Sequence, residues 1–168
     1  MSSRARLLQL EQTGQYVFHG SPFGGITSLE PRQATHVPEL SKPDDKMLDG
    51  RPGVSASRYA DFAIFHAIVN TTNINGNHVS GFGVEHGRKV FYVSDNVLKS
   101  VKDKRGFVYV LNKKDFEPYE RDGDADEDAM EWRSHASVRP MEVIEVCFDD
   151  LPEEGAIEIT SHPSAQYG

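Results

Sequence analysis

The chain has 168 residues, of which 38% are hydrophobic and 26% charged, a composition typical of one soluble globular domain. Its 18 basic and 26 acidic residues give a formal net charge of −8, so stable binding to nucleic acid is not expected. No apolar run approaches the roughly 18 residues of a membrane span, and we expect no membrane association and a cytoplasmic location.

The predicted elements begin with a short helix near Arg4–Gln12, within an N-terminal segment of residues 1–14. The sequence "QYVFH" predicts a buried strand that stops at Gly20 and Pro22. Residues 20–52 hold several prolines and glycines and little periodicity, and a loop of that length in a compact domain is usually functional or disordered. "GVSAS" then predicts a short strand.

A helix is predicted over "RYADFAIFHAIV", with Ser57 as its N-cap. Its apolar residues at helical spacing are Ala60, Ala63, Ile64, Ala67 and Ile68. The turn-rich segment "NTTNINGNHVSGFG" is expected to end this helix.

Strands dominate the second half of the chain. "RKVFYVS", "GFVYVLN" and "PMEVIEVCF" have strand patterns, with a helical turn at "DNVLKSV" and an acidic loop over "EPYERDGDADEDAMEWR". "AIEIT" predicts a final edge strand in the C-terminal segment 149–168. We therefore predict one α+β domain over residues 1–168, with few helices and a mainly antiparallel, split β-sheet.

Cysteine and histidine usage bears on metal and redox chemistry. The only cysteine, Cys147, lies in an apolar strand pattern and is expected to be a buried core residue. A lone cysteine cannot form an internal disulfide, which fits a reducing compartment. The seven histidines form no HExxH, HxH or Cys–His pattern, so no metal site is expected.

Three segments carry residue types that suit ligand chemistry. In the first, His19 ends a strand and Gly20-Ser21 follow; the imidazole and hydroxyl could hold sugar hydroxyls, or the ring could simply bond a neighbouring carbonyl. In the second, an aromatic residue of the helix could stack on a ligand ring or belong to the core. In the third, Glu131 precedes a tryptophan. Its carboxylate could be partly buried in a site, or it could be a solvated charge at the start of a strand.

Taken in this order, "FHGSP", "GVSASRYADFAIFHA" and "EWRSHASVRPMEVIEVCF" resemble the three motifs of the ADP-ribosyltransferase superfamily, particularly its poly-ADP-ribose-polymerase-like branch. The resemblance implies that fold and a cleft for NAD as co-substrate, with no metal. It implies that His19 bonds the adenosine ribose, assisted by Ser21, and that the Gly20 backbone contacts the nicotinamide carboxamide.

The second motif departs from the family pattern. Phe65 stands where the family usually has a tyrosine stacked on nicotinamide, and Tyr59 is the alternative if the helix is shifted. Val54 replaces an aromatic residue expected earlier in the motif. Ser57, the small residue before the helix, is placed beside the cofactor.

The third motif implies that Glu131 is the catalytic carboxylate, because breaking the nicotinamide–ribose bond builds positive charge on the sugar. Loop 23–52 is expected to cover NAD, with Arg32 or Arg51 at its pyrophosphate. The acidic loop 120–130 is expected to border the acceptor side.

The activity that this resemblance implies is transfer of ADP-ribose from NAD to an unknown acceptor, which could be a protein, a nucleic acid or a small molecule. Four alternatives remain open at this point. They are an RNA 2′-phosphotransferase-like enzyme, an NAD-hydrolysing enzyme, a catalytically silent module that binds NAD or ADP-ribose, and a soluble α+β protein with an unrelated function.

Overall fold

The structure is a computed structural model of the chain and describes residues 1–33, 35–36, 47–48, 50–121, 123–153 and 156–160. Within these residues the α-helices are α1 (Ser3–Gln12), α2 (Ala60–Ile68) and α3 (Val97–Val101). The strands are β1 (Tyr16–Ser21), β2 (Thr35–His36), β3 (Met47–Leu48), β4 (Val54–Ser57), β5 (Ser80–Glu85), β6 (Arg88–Ser94), β7 (Arg105–Asn112), β8 (Glu117–Tyr119), β9 (Glu131–Ser134), β10 (Glu142–Cys147) and β11 (Ile157–Thr160).

The main sheet has six strands in the order β10-β7-β1-β4-β9-β8, and every neighbouring pair is antiparallel. A second sheet has the order β11-β6-β5, in which β11 is the edge strand and runs parallel to β6. The short strands β2 and β3 pair with each other. The described residues thus form one α+β unit with few helices and mainly antiparallel sheets, as the sequence predicts.

Helix α2 packs against the main sheet at a point where two strands carry glycine. A Cβ atom on Gly20 would lie 2.0 Å from the Ala63 carbonyl oxygen, and one on Gly106 would lie 2.2 Å from the Ala67 carbonyl oxygen. The alanines lie one helical turn apart, so small residues on both surfaces let helix and sheet backbones touch. This close approach fixes α2 over β1 and β7.

The hydrophobic side chains of the described residues form two clusters. The larger one joins α1 and α2 to both sheets and contains the rings of Phe18, Phe62, Phe65 and Phe91. The smaller one contains Trp132 and other side chains of the main sheet, together with residues of the connections between its strands; its other members are Val17, Leu29, Val54, Ala56, Tyr109, Leu111, Phe116 and Val138. Burial in these clusters is the main favourable term holding the elements together.

A buried carboxylate ties three elements together near the start of α2. Asp61 is 4% exposed and accepts hydrogen bonds from Arg4 of α1 and from Lys89 of β6. Burial alone would raise the pKa of Asp61, but the Arg4 hydrogen bonds and the Lys89 charge outweigh it and hold the pKa below 3.8.

Four sequence predictions of local structure need correction in part. The first strand continues through Gly20 and stops at Ser21, directly before Pro22. Ser57 is not the N-cap of α2, because the helix begins at Ala60 and the Ser57 hydroxyl accepts the Tyr59 amide instead. The turn-rich segment does follow the end of α2 at Ile68, as predicted, but its last residues belong to strand β5, and the acidic loop begins with strand β8.

Cys147 is also less enclosed than the sequence predicts. It is half-buried, because it ends the edge strand β10. Among the described residues, no helix combines the length and apolar character needed to cross a membrane.

Candidate functional site

The main sheet opens between β1 and β4. Their ladder contains one registered pair, Phe18 with Ser57, whereas β1 pairs with β7 along its whole length. A cavity of about 200 Å³ lies at this opening, and we call it the glutamate pocket. Its lining residues are Phe18, His19, Gly20, Ser55, Ala56, Ser57, Phe62, Ala63, His66, Phe82, Met130 and Glu131.

His19 enters the pocket from β1 and is held by β4. Its Nδ1 lies 2.7 Å from the Ser55 carbonyl oxygen, so Nδ1 carries the proton and donates it. Burial lowers the pKa of His19 below 6.5; the Ser55 hydrogen bond opposes that shift and the Arg32 charge adds to it. The ring is therefore neutral near pH 7, and Nε2 carries a lone pair that can accept a hydrogen bond.

Glu131 enters the same pocket from β9. Its carboxylate oxygen Oε2 accepts the Ser55 hydroxyl over 2.9 Å. Ser55 therefore contacts both functional groups, the imidazole of His19 through its carbonyl and the carboxylate of Glu131 through its hydroxyl. The half-buried position of Glu131 and this anchoring give the carboxylate a defined place in the pocket.

Arg133 lies two residues further along β9, on the same face as Glu131. Its Nε donates to Oε2 of Glu131, and its side chain is only 4% exposed. The guanidinium lies over the Tyr119 ring, 3.6 Å from the ring centroid. Oε2 of Glu131 thus accepts hydrogen bonds from both the Ser55 hydroxyl and the buried Arg133 guanidinium.

The apolar wall of the pocket comes from α2 and β5. The rings of Phe62 and Phe82 stack with their centroids 4.7 Å apart and an interplanar angle of 23°. His66, one turn after Phe62 on α2, presents an exposed ring to the pocket. Desolvation lowers the pKa of His66, and repulsion from His19 in its protonated form lowers it further.

Two further depressions continue from His19. The first, of about 540 Å³, we call the histidine groove. It shares His19, Gly20, His66 and Phe82 with the glutamate pocket. The second, of about 300 Å³, we call the arginine pocket, since Arg32 lines both it and the groove. His19 lines all three, so the site is long enough for an extended ligand that passes this ring.

The structure brings part of the predicted set together. His19, Gly20, Ser57 and Glu131 all line the glutamate pocket. Gly20 has a packing role besides, because its missing side chain admits Ala63 of α2.

Ser21 and Arg32 line the histidine groove and the arginine pocket instead. Ser21 is buried, and its Oγ accepts the Phe23 amide. Arg51 is exposed and lines none of these three cavities.

The predicted stacking rings do not line the glutamate pocket. Phe65 is 1% exposed and packs against Phe82 and Phe91, reaching only the histidine groove. The Tyr59 ring packs edge-on against Phe62, with the Arg58 guanidinium 4.9 Å from its centroid. The α2 residues that line the pocket are Phe62, Ala63 and His66, and His66 is next to Phe65 in sequence.

Sequence reasoning missed Ser55, His66 and Phe82 as site residues. Ser55 had a usable signal, since it is the polar residue between the buried Val54 and Ala56 and must face away from them. Phe82 gave no such signal, because glycines flank it and its strand follows a turn-rich segment without an apolar alternation. No group of three or more metal-ligating side chains occurs in the described ranges.

Comparisons with protein-family models, with curated proteins and with solved structures give no match.

Proposed function

We propose that the protein is an NAD-dependent ADP-ribosyltransferase that binds NAD along the three connected cavities around His19. The observation that carries this proposal is the shared anchoring of His19 and Glu131 by Ser55 within one pocket. An acceptor for sugar hydroxyls and a fixed carboxylate are the two groups that the reaction needs. The motif resemblance in the sequence supports the same activity.

His19 would serve in binding. Its Nδ1 proton is committed to Ser55, and the neutral ring leaves Nε2 as an acceptor. A ribose hydroxyl can donate to Nε2. Because the proton position is fixed by the backbone, this contact orients the sugar without any proton transfer.

Glu131 would serve in bond cleavage. When the bond between the ribose C1′ and the nicotinamide nitrogen breaks, both electrons leave with nicotinamide and positive charge remains on the sugar. A carboxylate fixed beside the sugar stabilises that charge more than it stabilises the substrate. A nucleophilic acceptor then bonds to C1′ and releases a proton, and with water as the acceptor the product would be free ADP-ribose.

The ring of Phe82 and the exposed ring of His66 would enclose the nicotinamide, and Phe62, which is 0% exposed and stacked on Phe82, would support that wall from the core. Flat apolar and imidazole surfaces suit an aromatic amide of this size. In this arrangement His66 takes the part that the sequence assigned to Phe65, whose ring lies in the core. Gly20 remains at the pocket surface, where a carboxamide can approach its backbone.

A silent NAD-binding module is the second candidate, and one contact favours it. The Arg133 guanidinium lies on the Glu131 carboxylate and partly neutralises its charge. A neutralised carboxylate stabilises a sugar cation less well. Binding would survive this contact, whereas turnover would be slowed.

Nicotinamide release from NAD by the purified protein tests the proposal. We expect wild-type release and a loss of about 10²–10³ in rate for Glu131→Gln, as for other preorganised electrostatic groups. Glu120→Gln is the matched control, because it makes the same chemical change at an exposed site outside the glutamate pocket. NAD binding without any release would favour the silent module, and equal release by all three proteins would rule out Glu131 as the catalytic group.

A further inference from the structure

Strand β5 is an edge strand whose free side borders the candidate site. It pairs with β6 on one side, and the described residues place no strand on its other side. Ser80, Gly81 and Phe82 of this strand line the histidine groove, and Phe82 also lines the glutamate pocket. A chain segment lying along β5 would therefore run beside the pocket that contains Glu131.

The register of the hairpin shows which backbone groups of β5 bond to β6. The turn at residues 86–87 has positive φ at both positions, as in tight hairpins, and Glu85 and Arg88 close it as a hydrogen-bonded pair. Bonded pairs recur at every second residue of an antiparallel ladder. At the far end, the Ser94 N–H donates to the Val79 carbonyl over 2.7 Å, which fits this alternation.

The backbone N–H and carbonyl groups of Ser80, Phe82 and Val84 therefore point away from β6. No hydrogen bond from another described residue reaches these groups. They form a row of donors and acceptors at the spacing of a β-ladder. An extended backbone can satisfy such a row along its whole length, whereas a small ligand cannot.

Strand β5 lacks the features that usually protect a free edge. Natural edge strands are often very short or carry proline or charged residues. Strand β8, an edge of the main sheet, is three residues long and contains Pro118. Strand β5 has six residues, of which only Glu85 at its end is charged, and a Cβ on Gly83 would meet no described atom within 4 Å. Its edge is thus long, mostly uncharged and open.

We propose that the free edge of β5 binds the acceptor of the reaction, and that this acceptor is a polypeptide segment that adds to the sheet in extended conformation. The acceptor role rests on the proposed transferase activity. The backbone groups of Ser80, Phe82 and Val84 would hold the segment, and its side chain next to Phe82 would enter the glutamate pocket. A nucleophilic oxygen or nitrogen of that side chain bonds to the ribose C1′ and loses its proton, while nicotinamide leaves with the electrons of the broken bond.

Amide hydrogen exchange of the full chain, with and without a probe peptide, tests this edge. The probe is a short blocked peptide of alternating valine and threonine with a lysine at each end, whose positive charge suits a protein of net charge −8. We expect saturating probe to slow exchange of the Phe82 and Val84 amides by about tenfold and to leave the Gly83 amide, already bonded to β6, unchanged. The same peptide methylated on all its backbone nitrogens should give no protection.

Val84→Pro and Val84→Ala are a matched pair of variants. Both remove the valine side chain, but only proline removes the outward N–H, and no bond to β6 is lost because that N–H does not point there. The probe should bind about fivefold more weakly to Val84→Pro than to Val84→Ala. Equal affinity in the two variants, or no protection of Phe82 in the wild type, would overturn the proposal.

Mass spectrometry of the probe after incubation with NAD separates this proposal from the transferase activity itself. Protection of β5 together with ADP-ribose on the probe supports the acceptor role. Nicotinamide release without protection of β5 would leave the transferase standing and overturn the edge as its acceptor site. Protection without nicotinamide release would contradict the transferase and its acceptor, and β5 would remain a peptide-binding edge.

Discussion

The hydroxyl of Ser55 donates to Oε2 of Glu131 over 2.9 Å, so strand β4 positions the carboxylate that strand β9 carries. The carbonyl oxygen of the same residue accepts a hydrogen bond from Nδ1–H of His19. Backbone and side chain of Ser55 thus act on different groups, and a substitution can remove one contact while keeping the other.

Ser55→Ala is expected to slow nicotinamide release while leaving NAD affinity nearly unchanged. The lost hydrogen bond to a charged group corresponds to about tenfold in rate, and the retained carbonyl still orients His19. Steady-state kinetics should show a fall in kcat with little change in KM. Ser100→Ala, which removes a serine hydroxyl bonded to the Asn96 carbonyl, is the control. A rise in KM alone would show that Ser55 acts in binding instead.

His19→Ala is expected to weaken NAD binding by about tenfold, the loss of one good hydrogen bond and its packing. Calorimetry measures this directly. His135→Ala is a close control, because Nδ1 of His135 also donates to a backbone carbonyl, that of Pro52, at an exposed position outside the pocket. Unchanged affinity in His19→Ala would remove this ring from the site.

Stability should fall as the pH is lowered through the histidine range. The pKa values of His19 and His66 are both lowered from 6.5 in the folded protein. Below pH 6.5 the unfolded chain therefore binds more protons than the folded one, and the free energy of unfolding decreases until the lower folded-state pKa values are passed. The pKa of Asp61 is lowered from 3.8, so its effect on the free energy of unfolding appears only at more acidic pH than that of the histidines. The histidine and aspartate effects can therefore be measured separately.

Urea unfolding of the wild type and of His66→Gln at about pH 7.5 and about pH 5.5 measures this effect. The wild type should lose stability between these values, and the variant should lose less. Identical pH dependence in the two proteins would show that His66 does not contribute.

Gly20→Ala should destabilise the fold by about 1–3 kcal/mol or more, because the added methyl group overlaps the Ala63 carbonyl. Gly83→Ala is the control, since a Cβ at that strand position meets no atom within 4 Å. Thermal unfolding of both variants distinguishes packing from ligand contact. A Gly20→Ala protein as stable as Gly83→Ala would mean that α2 and β1 can separate at little cost.

The sequence predicts the α+β class, the antiparallel character of the sheets and most strands, because alternating apolar residues such as those of β7 have few other stable arrangements. It does not predict which side of α2 meets the pocket. Successive helical residues point about 100° apart. Shifting the match between this helix and the motif by one position therefore places His66 at the pocket in place of Phe65. Since both are aromatic rings, composition gives no means of choosing between them.

Residues from distant parts of the chain complete the site, and local pattern carries no information about them. Arg133 contacts the Tyr119 ring because β8 and β9 are neighbours in the sheet. Phe82 reaches the pocket from the second sheet. Contacts of this kind follow from strand order, which the sequence pattern does not encode.

The most direct test of the central claim is calorimetric titration of NAD into wild type and Glu131→Gln, with nicotinamide release followed on the same samples. We predict that Glu131→Gln binds NAD within about threefold of the wild type but releases almost no nicotinamide, because the carboxylate acts on the sugar cation rather than on bound NAD. Equal loss of binding and release would assign Glu131 to the structure of the pocket. Absence of NAD binding in a folded wild-type protein would contradict the account.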